Sequence, residues 1–213
     1  ANPAVVISEN VLEAKNSGMY QLLKGELSRI GYKTFELDLS NQHTGTIERR
    51  RRYWLIAISE NLAPDAIELP IVPLNAAPLK DFLEVVPERA WAENQYLKDK
   101  QIRDKAAGKG FATRQLLTGD ETMVGTIGRH YAKRRSTEPF IVRADGMERL
   151  LTPTEHAIVK SIPARLVPQT GMTRAHEILG QSVDYLQPYK LVRRLIEILR
   201  DSKTSGGWAA PPI

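Results

Sequence analysis

Two short stretches carry side chains that could act on a ligand. In VVISEN, residues 5–10, an apolar run ends on Glu9 and Asn10. As a strand of an α/β sheet, this run would place Glu9 at its carboxyl end, the edge where such sheets bind ligands. A carboxyl group there can give or accept a hydrogen bond, or a proton. In ERRRRYWLIAIS, residues 48–59, four arginines lead without a spacer into an almost wholly apolar segment. Guanidinium groups offer a fixed fork of donors that suits phosphate and other anionic oxygens. A basic run is ordinarily a solvated patch, but this one sits at the mouth of a buried strand. Residues i and i+2 of a strand face the same way. That parity puts Arg50 and Arg52 on one side, with Arg49 and Arg51 facing elsewhere.

Several chemistries are excluded by composition. The 213 residues contain no cysteine, so disulfides, zinc–thiolate sites and cysteine nucleophiles within this chain are ruled out. The four histidines, His43, His130, His156 and His176, show no metal-ligand spacing, and no metal is expected. A net charge of +5 leans toward a polyanionic partner. Hydrophobic content of 42% and charged content of 26% are ordinary for a globular chain. No apolar run approaches the ~18 residues of a membrane span, and no signal-peptide pattern is visible.

The elements that must position these groups follow from periodicity. Val5–Ile7 begin a strand close to residue 1, which predicts that the chain starts in the middle of a fold. A helix near residues 16–30 carries an apolar stripe of Met19, Leu22, Leu23, Leu27 and Ile30, and Gly31 stops it. Phe35, Leu37 and Leu39 alternate with polar residues as a half-buried strand, and YWLIAIS predicts a more deeply buried one. This order makes an α/β fold. Residues 60–78 hold four prolines and read as a linker or domain crossing. Residues 79–106 predict two helical pieces around Pro87, the second lysine-rich. That second piece, with Lys98, Lys100, Arg103 and Lys105, reads as a solvated face. TPTE at 152–155 predicts a cap at Thr152, proline at the first helical position and a capping box through Glu155. A final amphipathic helix carries Leu186, Leu191, Leu195, Ile196 and Leu199. The tail from 204 to 213 is expected to be disordered.

Four pieces in order carry a resemblance: VVISENV (5–11), ERRRRYWLIAI (48–58), RLLTPTEHAIVKSIP (149–163) and TRAHEILGQSV (173–183). Together they resemble the C-terminal half of the DNA (cytosine-5) methyltransferase family. That family has Glu-Asn-Val at a strand end, Gln-x-Arg-x-Arg entering a strand, Arg-x-Leu-x-Pro-x-Glu on a helix, and Gly-Asn-Ser-Val before a terminal helix. The resemblance implies the C-terminal part of a Rossmann-like methyltransferase sheet, residues 1–59 and 148–203, with an inserted smaller target-recognition domain at 60–147. It implies enzymes that flip a cytosine out of duplex DNA. A cysteine attacks C6, and the methyl of S-adenosyl-L-methionine goes to C5. Glu9 takes the place of the acid at N3, and Arg52 that of the cation at the cytosine and adjacent phosphate. Arg50 supports the catalytic loop, and Gln181 and Ser182 lie near the cofactor. Thr126-Ile127 resembles the family's Thr-Leu pair, and Arg129, Lys133, Arg134 and Arg135 become candidates for phosphate or base-edge contacts.

The sequence departs from the family pattern in places. Ile47-Glu48 stands for Pro-Gln, and Glu48 puts a charge where a neutral amide is usual. Gln181 stands for Asn, Thr154 for a second arginine, and Ser161-Ile162-Pro163 for Gly-Phe/Tyr-Pro. The glycine-rich cofactor loop and Pro-Cys nucleophile motif have no counterpart. The chain is therefore expected to work with a missing N-terminal catalytic portion, in the same protein or a separate subunit, and to be inactive alone. Double-stranded DNA is the expected partner, in a bacterial or phage cytoplasm and often in restriction-modification. An uncovered strand edge would favour self-association of the isolated chain. The alternative is a non-catalytic DNA-binding specificity subunit or decayed homologue. If Glu9 and Arg52 do not meet, the chain reads only as a basic interaction domain.

Overall fold

The run YWLIAIS is apolar throughout because both faces of its strand are covered. In the computed structural model, which describes residues 3–74, 77–109 and 114–204, the chain forms two compact units. The first comprises residues 1–44, 51–72 and 187–213. Its elements are β1 (Val5–Asn10), α1 (Gly18–Arg29), β2 (Tyr32–Leu39), the short α2 (Asn41–Thr44), β4 (Arg52–Ser59) and most of α6 (Leu186–Thr204). The sheet order is β1-β4-β2, with β4 antiparallel to both neighbours. Trp54, Ile56 and Ile58 pack with Leu39, Leu191, Leu195 and Ile198 on one face. Tyr53, Leu55 and Ala57 pack with Tyr20, Leu27 and Tyr32 on the other. A strand buried on both faces loses the apolar–polar alternation seen in half-buried strands.

The second unit comprises residues 45–50 and 73–186. β3 (Glu48–Arg49) pairs in parallel with β6 (Val124–Gly125). A second sheet has the order β5-β7-β8, from Gln115–Leu117, Pro139–Val142 and Glu148–Arg149. The helices are α3 (Gln95–Ala106), α4 (Pro153–Val159) and α5 (Met172–Gln181). Ile47, Leu79, Leu117, Val124, Ile127, Tyr131, Ile141, Leu151 and Val159 form the core. The start of α4 is the capping box expected from TPTE: Glu155 N donates to Thr152 Oγ1 at 3.1 Å and Thr152 N to Glu155 Oε2 at 2.8 Å, with Pro153 at the first position. Among the described residues no helix is long and apolar enough to cross a membrane.

Four expectations differ from the structure. Of the stripe on α1 only Leu27 is buried: Met19, Leu22, Leu23 and Ile30 are exposed, and Tyr20, outside the stripe, makes the contact along with Leu27. Residues 79–106 hold one α-helix, α3; Leu79–Phe82 and Glu88–Ala90 are single 3-10 turns. Pro87 disfavours helical backbone at the β-branched Val86, which keeps the two turns apart. The strand does not run through the arginines, because β3 ends at Arg49 and β4 starts at Arg52. The i, i+2 parity linking Arg50 to Arg52 therefore does not apply. The units also divide at other places than expected: 45–50 and 148–186 belong to the second, because β8 pairs with β7 and α5 packs on α4. The expected disordered tail, 204–213, lies outside the described residues apart from Thr204, the last residue of α6.

Candidate functional site

In the first unit the sheet register brings a carboxylate to a guanidinium. Glu9 lies directly opposite Trp54 in the β1–β4 pair. Arg52 is two residues before Trp54 and so shares its face. The cross-strand diagonal is within reach of long side chains. Arg52 Nε lies 3.0 Å from Glu9 Oε1, an ion pair. Arg52 Nη1 also donates to the Arg51 carbonyl at 2.8 Å, which fixes the fork. The Arg52 side chain is 16% exposed and that of Glu9 29%, so the pair is sheltered yet reachable. Arg51 turns to Asp38 at 2.9 Å on the exposed side.

In the second unit Arg50 is buried. Its Nη1 and Nη2 point at the carbonyls of Ile127 and Gly180, each at 3.5 Å. Glu48, the charged departure from the family amide, is fully buried and has its own counter-ion. Lys160 Nζ donates to both Glu48 oxygens at 2.9 and 2.8 Å, and Ile127 N donates to Oε1 at 2.8 Å. Thr126 Oγ1 donates to the Arg49 carbonyl at 2.7 Å. The Glu48–Arg50 segment and Thr126-Ile127 are thus latched together by side chains as well as by the β3–β6 pair. Ile127, expected among the DNA contacts, has no exposed surface and belongs to the core; its part is to hold the segment.

The remaining expected residues fall into two groups. Arg129, Lys133 and Arg135 are exposed. Arg134 turns inward, with Nη2 toward the Glu148 carbonyl at 3.4 Å and its guanidinium over Phe140. Gln181 is exposed, and its amide nitrogen donates to the Glu177 carbonyl at 3.2 Å. Ser182 Oγ donates to the Leu179 carbonyl at 2.6 Å. Gly180 must be glycine for a close approach: a Cβ there would lie 2.2 Å from the Gly128 carbonyl oxygen. Sequence reasoning missed the partners of these groups. Arg149 and Glu155 form a buried bidentate pair at 2.7 and 2.8 Å, and Arg114 pairs with Glu148 at 2.8 Å. The Arg and Glu of RLLTPTE are thus a clamp within the fold.

His156 and His176 were also missed. Both are fully buried, with Nδ1 atoms 3.0 Å apart and the Tyr131 ring edge-on to each. Burial, then the positive charges of Lys160, His176 and Arg50, hold His156 well below its usual 6.5. Burial lowers His176 to about 4, against a smaller opposing backbone hydrogen bond at Leu151. Both rings are neutral when folded and titrate near 6.5 when unfolded. Their contribution to stability is complete above pH 6.5 and is lost as pH falls toward 4. For His176 alone the loss is about 3 kcal/mol across that window. Urea midpoints at pH 7 and pH 4.5 should show this, with His176→Phe flattening the difference. An unchanged pH dependence in that variant would remove His176 as the cause.

No family model matches the chain. Among curated proteins it is 25% identical over 159 residues to the type II methyltransferase M.MspI of Moraxella sp, covering 74% of this chain and 36% of that protein. It is 21% identical over 210 residues to the type II methyltransferase M1.ScrFI of Lactococcus lactis subsp. cremoris, covering 94% and 54%. The chain thus spans roughly a third to a half of these relatives' length. Among solved structures it is similar to the S. pombe Dnmt2 methyltransferase, with a TM-score of 0.68, 16% identity, and coverage of 95% of this chain and 68% of that one. The Entamoeba histolytica methyltransferase EhMeth gives a TM-score of 0.70 and 16% identity, covering 94% and 63%.

Proposed function

We propose that this chain, similar to two type II methyltransferases and sharing the fold of solved methyltransferases, supplies the cytosine-binding and target-recognition part of an enzyme that methylates C5 of cytosine in duplex DNA. The observation that carries this reading is the Glu9–Arg52 pair, an acid and a cation held 3.0 Å apart at the end of the sheet.

Attack on C6 of a flipped cytosine drives electron density onto N3 and O2. Glu9 hydrogen-bonds N3, and the Arg52 fork meets O2 or the adjoining phosphate, so both stabilise charge where it develops. Their antiparallel strands fix the two groups before the base arrives, so little reorganisation accompanies the reaction. Arg50, already bound to two carbonyls, acts as a brace for the recognition segment and not as a ligand group. S-adenosyl-L-methionine, when bound, supplies the methyl group. Gln181 and Ser182 fit the rim of its pocket: Gln181 is exposed and its amide carbonyl can accept from an amine or hydroxyl.

The nucleophilic cysteine must come from outside these 213 residues, which contain none. Consistent with a partner portion, β1 is an outer strand of its sheet, and Ile7, Met19 and Leu22 are exposed apolar side chains in the first unit. The test is tritiated methyl transfer to duplex DNA. The chain alone should transfer nothing, and mixing with the cysteine-bearing portion should restore transfer. Transfer by the chain alone would overturn the reading. DNA binding by the mixture without any transfer would make the chain a non-catalytic specificity subunit.

A further inference from the structure

Arg129 cannot meet DNA as an unencumbered cation, because an acidic side chain already holds it. Its Nε and Nη2 donate to Glu177 Oε1 at 3.0 and 2.6 Å. The other oxygen, Oε2, accepts from Arg174 Nη1 at 2.9 Å. Two arginines, one from the 126–135 segment and one from the first turn of α5, thus converge on a single carboxylate. Burial does not hold them there: the Arg129 and Arg174 side chains are 55% and 63% exposed, against 25% for Glu177. The carboxylate lines an open pocket of about 210 Å³ together with Arg129, His130, Lys133 and Thr173. Two arginines thus share one anion, and Lys133 lines the same pocket. The hydrogen bonds from Arg174 and Arg129 hold Glu177 below the usual carboxylate range, so it is charged at neutral pH.

We infer that this pocket is a phosphodiester site in which Glu177 stands in for the phosphate until DNA arrives. A planar carboxylate and a phosphate present paired oxygens to guanidinium groups at similar spacing, so one can replace the other without rebuilding the arginines. The exchange is cheap, because exposed ion pairs of this kind contribute little. The carboxylate keeps Arg129 and Arg174 aimed and also raises the threshold for binding, so that only a strand placing a phosphate in this pocket displaces it. Non-specific polyanions then gain less from these cations than their number predicts. Arg174, Thr173 and Glu177 join the interface through this site, although they lie outside the basic run read from sequence.

The inference rests on the proposal that the chain binds DNA, and the test separates the two. Binding of a short duplex to the 213-residue chain mixed with the cysteine-bearing portion is measured across a range of salt for the parent, Glu177→Gln, Arg174→Gln and Asp120→Asn. Asp120 pairs with Lys80 and is not among the pocket's lining residues, so its substitution changes net charge equally without touching the site. Glu177→Gln should tighten binding by about three-fold at low salt, the scale of one exposed ion pair. Arg174→Gln should weaken it and make the log–log salt slope shallower by about 0.9, the loss of one phosphate contact. Asp120→Asn should leave affinity within experimental scatter. Retained DNA binding with Glu177→Gln equal to or weaker than the parent overturns the site alone. Equal tightening by Asp120→Asn overturns it too, because net charge would then be the cause. Absence of any DNA binding by the parent overturns the functional reading and this site together.

Discussion

Glu9→Gln should cut methyl transfer by the assembled enzyme about 100- to 1000-fold, while DNA affinity shifts only a few-fold. The size follows from removing one group aimed at developing charge in a water-poor site. The selectivity follows because an interaction that strengthens only as charge develops lowers the chemical rate and not ground-state binding. The amide keeps the shape of the acid and can still accept from Arg52 Nε, now 3.0 Å from the carboxylate. Arg52→Ala should cause a loss of similar order, and Arg52→Lys should recover little of it, because one ammonium cannot reproduce the fork. The double variant should be much less than additive, since the two groups work on one base. The measurements are single-turnover methyl transfer and equilibrium binding to the same duplex. Parental transfer by Glu9→Gln would leave the fold assignment intact and remove Glu9 from the mechanism.

Glu48→Leu should destabilise the protein by about 3–5 kcal/mol, the range for breaking a buried ion pair by removing one partner. Lys160 is wholly buried and would lose the carboxylate that now takes two of its hydrogen bonds. Ile127 N would lose its acceptor as well. Lys160→Met should cost a comparable amount by stranding Glu48. Glu48→Gln combined with Lys160→Met should recover most of the loss, because glutamine still accepts from Ile127 N and no buried ammonium is left without its carboxylate. Urea unfolding of the four proteins, parent included, checks this. A double variant no more stable than either single one would show that the pair is not the source of the loss.

Locally encoded features were legible in the sequence. Thr152, Pro153 and Glu155 specify a capping box within four residues, and the structure has it. The apolar YWLIAIS run announces a strand covered on both sides, and β4 is one. Glu9 and Arg52 could be named because strand ends and a family pattern mark them, yet their 3.0 Å contact depends on sheet register. The rest depends on encounters that no local window contains. Glu48 and Lys160 are 112 residues apart, so Glu48 reads in sequence as an anomaly and in the fold as one half of a pair. His156 and His176 are 20 residues apart in sequence and in the fold meet edge-on at Tyr131. The α1 stripe misleads because periodicity counts apolar side chains without knowing which will find a cover. The arginine parity fails for a geometric reason: Arg50 and Arg51 sit between strands, where alternation has no meaning.

The second unit is built from a six-residue piece, 45–50, and a long one, 73–186. This discontinuity limits how the region can be exchanged between relatives by recombination. A single cassette cut near residues 73 and 186 carries Lys160 and Ile127 but leaves Glu48 in the recipient. A recipient with an amide at that position would then receive an unmatched buried lysine, and a donor without the lysine would strand Glu48. Productive chimaeras between sequence specificities therefore need a second crossover pair around residues 45–50, or matching charge at these two positions beforehand. The ion pair acts as a compatibility mark, sorting which inserts this scaffold accepts.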